Sequence, residues 1–204
     1  MPWPARGAPA SASDTKAVAG QDRPWAYWLL FAIHIADDLV RTGFLIFLPF
    51  LLRDKGADLP TIGLGLSLLF AGGAAGKLVM GWVGAKLGVV PSVVMTEVAT
   101  TVLILALLPL PLPLALILLP AVGLMLNGTS SVLYGTIPEF VSPERRTRAF
   151  AVFYTGGSVA GAAGPLLFGL LGDVIGLPSA LTIVALVALT TVPLVWVLRP
   201  AFKH

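Results

Sequence analysis

The sequence contains no cysteine, which excludes disulfides and thiolate metal sites. Its two histidines, His34 and His204, lie too far apart in sequence for a local metal motif. Charged residues make up only 11% of the chain, against about 25% in soluble domains. The 13 basic and 10 acidic residues are scattered along apolar runs and form no basic patch. A pI near 9.5 therefore does not imply nucleic acid as a partner. No nucleophile–base pair is present, and the segment "GGAAGK", Gly72–Lys77, is not a phosphate loop. It lacks the G-x-x-x-x-G-K-[ST] pattern, because Leu78 follows Lys77. Neither an enzyme, a cofactor nor a metal is expected. The first 23 residues lack the apolar stretch of a secretory signal and read as a flexible cytoplasmic tail.

Long apolar runs dominate the rest. The chain is 57% hydrophobic, with a mean hydropathy of +0.93. A helix needs about 20 mostly apolar residues to cross a bilayer, and six segments qualify. The first runs from about Pro24 to Leu52 and the second from Pro60 to Leu87. The third spans Pro91 to Leu108 and the fourth Leu112 to Phe140. The fifth starts from Ser142 as N-cap, with Pro143 at the first helical position, and ends near Leu171. The sixth spans Pro178 to Leu198. Nine lysines and arginines then fall on one side: Arg6, Lys16, Arg23, Lys86, Arg145, Arg146, Arg148, Arg199 and Lys203. Only Arg53 and Lys55 fall on the other. The positive-inside rule puts both termini in the cytoplasm. The expectation is an all-α, multi-pass protein of the cell inner (cytoplasmic) membrane. Residues 24–198 would lie in the bilayer, between tails 1–23 and 199–204.

Shifting the sequence by 88 residues lays Gly73–Gly88 over Gly161–Gly176, with eight of sixteen positions identical. Five of the eight are glycines. The matched segments end the second and fifth helices, which cross the membrane in opposite senses. This is a 3+3 inverted repeat, an architecture typical of secondary transporters. Small residues let membrane helices approach closely. Gly72–Gly76, Gly84–Gly88 and Gly157–Gly161 form G-x-x-x-G pairs. With Gly81, Gly164 and the kink expected at Pro165, they are assigned to helix packing or gating.

The first helix carries His34, Asp37, Asp38 and Arg41. His34, Asp38 and Arg41 share one helical face, and such residues inside a membrane mark function by default. Lys77 lies at a depth matching His34, at 1.5 Å per residue. It is expected to pair with His34, Asp37 or Asp38. Asn127 and Tyr154 complete the expected substrate and proton pathway. Glu97 is expected to snorkel or to pair with a basic residue.

The end of the second helix, "GWVGAKLG" (Gly81–Gly88), resembles the G-x-L-a-D-r-x-G-r-r loop motif of the major facilitator superfamily. Gly81, Lys86 and Gly88 match. Ala85 replaces the aspartate, and Val89-Val90 replace the basic pair. The stretch Ser142–Gly176 resembles that superfamily's loop and penultimate helix of the C-terminal half. Its pattern is similar to drug-efflux members such as the fosmidomycin-resistance group. The resemblance implies alternating access by two six-helix halves. The site would face the partner half on the first, second, fourth and fifth helices. It thus implies a half-transporter for a small-molecule substrate in a lipid bilayer, paired as a homodimer or with a separate N-terminal-half protein. A buried aspartate whose cation partner can leave adds proton coupling to that expectation. The competing expectation is a non-transporting membrane scaffold, assembly module or remnant.

Overall fold

The computed structural model describes residues 22–202. Within them the chain forms six helices and no strand. They are α1 (Pro24–Asp54), α2 (Leu59–Leu87), α3 (Val89–Leu107), α4 (Leu112–Phe140), α5 (Arg146–Ile175) and α6 (Leu177–Leu198). The expected tail at residues 1–21, and residues 203–204, lie outside the described residues. Residues Arg199–Phe202 form a 3-10 turn that buries Ala201.

Two boundaries, both of the fifth helix, differ from the sequence reading by more than two residues. The fifth helix does not stop near Leu171 but continues to Ile175. Nothing in "GDVI" breaks a helix, whereas Gly176 adopts φ +82° and ends it. Gly88 ends α2 in the same way, at φ +86°. Only glycine takes this conformation without strain. Ser142 does not cap α5 either. It precedes a 3-10 turn at Pro143–Arg145, and its side chain makes no capping bond. Its N–H instead donates to Asp22 Oδ1 at 2.9 Å, holding Asp22 below the usual carboxylate range. Arg145 pairs with the other Asp22 oxygen at 3.2 Å.

The inverted repeat is visible in the packing. The repeat relates α1 to α4, α2 to α5 and α3 to α6, and the contacts obey that exchange. Helix α2 packs on α4, and α5 packs on α1; α3 packs on α4, and α6 on α1. Helices α3 and α6 pack on each other, as do α1 and α4. The repeat glycines make the closest approaches. A Cβ on Gly72 or Gly76 would strike the backbone of Pro120 or Leu124 on α4. Gly123 returns the contact against Leu69 O. In the second half, Gly157 and Gly164 bring α5 against Asp38 and Thr42 of α1. Gly84 sits tightly on Val132, and Gly161 makes only ordinary contact with Thr42. Gly81, expected to pack, faces open space. Pro165 lies exposed within α5.

At the end away from the termini, Lys55 fastens two turns together. Its Nζ donates to Leu108 O at 2.8 Å and Leu110 O at 2.6 Å. Carbonyls at a helix C-terminus have no intrahelical donor, and a cation there also complements the helix dipole. Lys55→Met removes both bonds. Thermal unfolding in detergent should show a loss of about 1.5–3 kcal/mol, the range for hydrogen bonds involving charged groups.

Candidate functional site

Two hydrophobic cores are stacked along the bundle. One, toward the end bearing Lys55, includes Phe44, Leu48, Ile104 and Leu119. The other, toward the termini, includes Leu30, Phe140, Phe153 and Val195. Between them lies a layer that neither core fills. On α1 it holds His34, Asp37 and Asp38, between Ile33 and Val40. On α3 it holds Glu97, Thr100 and Thr101, between Val93 and Ile104. Helix α4 contributes Gly128, Thr129 and Ser130, and α6 contributes Thr191. Helices α2 and α5 cross the layer with Gly72, Gly73 and Gly76, and with Gly157 and Gly164. Polar groups withdrawn from water cost free energy unless they are paired, so the arrangement of this layer is informative.

Asp38 is the centre of the first group. Arg41, one turn further along α1, forms an ion pair with its Oδ1. His34 Nε2 lies 3.4 Å from its Oδ2. The His34 ring stacks on Phe153, with centroids 4.1 Å apart and planes 7° apart. Tyr134 meets His34 edge-on at 5.2 Å. Gly157 of α5 forms the floor, since a Cβ there would run into Asp38 Oδ2 and His34 Nε2. This glycine makes room for the charged cluster as well as for a helix. The Arg41 side chain is 28% exposed, so the group opens outward on that side.

Asp37 borders this group, with a carboxylate oxygen within 4.8 Å of His34 and Asp38. Its carboxyl faces that of Glu97 on α3, within hydrogen-bonding reach. Thr129 and Thr191 also reach Glu97. Both acids are 2% exposed. Glu97 therefore neither snorkels nor pairs with a basic residue, and this corrects the sequence reading. Thr129 and Thr191 were not singled out from sequence. The signal for the α3 part was present, because Thr96, Glu97, Thr100 and Thr101 form a polar stripe in an apolar helix.

Lys77 is the other correction. It is exposed on α2 and forms no ion pair among the described residues. The glycine face of α2 turns onto α4, leaving little contact with α1. Asn127 also lies outside the cluster, in the α2–α4 seam. There its Nδ2 donates to Gly123 O at 3.1 Å and abuts Gly73. Tyr154, on α5, is 68% exposed. The structure thus brings His34, Asp37, Asp38 and Arg41 together, and leaves Lys77, Asn127 and Tyr154 around them. Nitrogen and oxygen atoms of His34, Asp37 and Asp38 fall within 4.8 Å of one another, a spacing that could hold a metal ion. Here the Arg41 guanidinium already supplies a positive charge to Asp38.

Five of the six helices are long and apolar enough to cross a membrane. The exception, α1, is the longest at 31 residues. Its Asp37, Asp38 and Arg41 fall within every 18-residue stretch of it. A family model described as Major Facilitator Superfamily matches residues 30–204. The chain belongs to the major facilitator superfamily. No curated protein matches it. Major facilitator superfamily members are membrane transporters rather than enzymes. The charged layer accordingly lies across the spanning helices of a transporter fold.

Proposed function

We propose that the chain is one half of a proton-coupled transporter for a small organic solute, of the drug-efflux type. Arg41 carries this reading. It lies 17 residues into α1, roughly 26 Å from Pro24 at 1.5 Å per residue. At that depth its side chain remains 28% exposed. A charge facing lipid at mid-bilayer costs about 2.5–3.5 kcal/mol on insertion scales. A water-filled cavity, or a second six-helix unit across it, removes that cost. Lys77, exposed within α2, adds a second cation with the same requirement. The occupant proposed for the opposite wall is a second copy or a separate half. Nine basic residues on the terminal side against two on the other support cytoplasmic termini in the inner membrane.

In this reading Arg41 switches between partners. With no solute bound it neutralises Asp38. A solute that draws the guanidinium away leaves Asp38 without a counter-charge in an apolar layer, and the carboxylate then takes up a proton. Solute and proton thereby become linked through one side chain, as coupled transport requires.

The test is proton-driven flux of fosmidomycin and other small drugs in everted vesicles, with the mass of the species measured in nanodiscs. Asp38→Asn and Lys77→Met should each reduce flux at least about tenfold, the effect of about 1.4 kcal/mol. The wild-type mass should contain two six-helix units. Wild-type flux in both variants, or a strict six-helix monomer without flux, would sink the proposal.

A further inference from the structure

We infer that Asp37 and Glu97 form a second, inner binding site, which takes up and releases one proton separately from the Asp38–Arg41 pair. The inference deepens the proton-coupled reading above and rests on it for its role in transport. The geometry stands by itself. Two carboxyl groups from different helices face each other, both buried, between the two hydrophobic cores. Asp37 Oδ2 and Glu97 Oε1 receive no hydrogen bond from any described N–H or O–H. Facing carboxylates at such range cannot both be ionised, as like charges in acid dyads show. At least one proton must lie on the pair, and that proton supplies the missing donor.

The surroundings suit a pair holding two protons in one state and one in the other. Around it, Arg41 faces Asp37 from α1, with Asp38 and His34 beside it. Thr129 approaches Glu97 from α4 and Thr191 from α6. A hydroxyl donates one proton and can rotate to choose its acceptor. Each threonine has an alternative acceptor. Thr129 Oγ1 donates to Thr96 Oγ1 at 2.8 Å, and Thr191 Oγ1 donates to Ala188 O at 2.6 Å. When Glu97 is protonated, its O–H can donate to a threonine oxygen while the threonines keep these bonds. When the Glu97 O–H bond breaks and the proton passes to water, the hydroxyls turn and donate to the carboxylate. Asp37 keeps its own proton and donates it to Glu97, and the two threonine hydroxyls stabilise the charge that remains. No heavy atom need move for the exchange.

The experiment is infrared difference spectroscopy on the purified full chain in detergent, titrated from about pH 5 to 9. Exposed carboxyl groups are already ionised across that range. The wild type should lose a carboxylic C=O band as pH rises, and Glu97→Gln should lack that change. Should Glu97→Gln fail to fold, Thr191→Val and Thr129→Val retain both acids and should shift the midpoint by about one pH unit, a hydrogen bond's worth. Three results overturn the inference: no band in the wild type, an unchanged band in Glu97→Gln, or wild-type midpoints in both threonine variants. Loss of the band on adding sodium chloride at fixed pH overturns it in favour of a sodium site. In vesicles, Glu97→Gln should keep solute counterflow but lose acceleration by a proton gradient. Titration as expected with no flux from any protein supports the proton site and defeats the transport reading alone.

Discussion

Gly76→Leu is expected to separate α2 from α4 and to destabilise the bundle by about 3 kcal/mol, the upper end of the overpacking range. A Cβ at residue 76 would meet the backbone of Leu124, its Cα at 2.8 Å. Backbone cannot rotate aside as a side chain can. The seam is reciprocal, because Gly72 lies on Pro120 and Gly123 on Leu69 and Gly73. A substituent at any one of them moves the other contacts apart. Membrane helices associate mainly through such close packing, without the hydrophobic drive available in water. Gly81→Ala is the internal control. It belongs to the same glycine run, yet a Cβ there meets nothing within 4 Å. It should be neutral, or stabilising by up to about 1 kcal/mol through helix propensity. Thermal unfolding in one detergent separates the two outcomes. Equal effects would mean that the seam is not built on these glycines.

The second large effect is expected at Arg41. Arg41→Ala leaves Asp38 buried and charged with no guanidinium, a loss of about 3–5 kcal/mol for a broken buried pair. Asp38→Asn should be milder, because Arg41 is 28% exposed and can turn its charge toward water. The double variant Asp38→Asn with Arg41→Ala should regain most of the stability lost in Arg41→Ala. Stability and transport should then part company, since the rescued double variant still lacks the switch. A double variant as unstable as Arg41→Ala would show that the ion pair is not the source of the loss.

Much of this fold was legible in the sequence, because its main signals depend on backbone chemistry. Prolines and polar turns bracket the helices, and α4 has the expected bounds of Leu112 and Phe140. The repeat was legible because its last glycine, at residues 88 and 176, is required by a left-handed turn. The same repeat implies the longer α5, which ends at Ile175 as α2 ends at Leu87. The site was only half legible. His34, Asp38 and Arg41 meet because they share a helix, and spacing along one helix fixes which faces coincide. Lys77 was misplaced because depth along a helix says nothing of rotation about it. The glycines of α2 set that rotation, turning it toward α4. Glu97 taken singly resembles a snorkelling residue; only the threonines that share its face mark it as buried.

The turn glycines carry one more implication. Gly88 and Gly176 make nearly the same bend, with ψ of 170° and 158°, at opposite ends of the bundle. The packing around each repeats under the same exchange of helices. Turned upside down, the order of helix contacts reproduces itself. The fold therefore gives the inserting chain little reason to prefer one way up. That choice is left to the lysines and arginines outside the spans. Charge substitutions in the tails and connecting turns should therefore shift the orientation of the molecule in the bilayer more than its architecture.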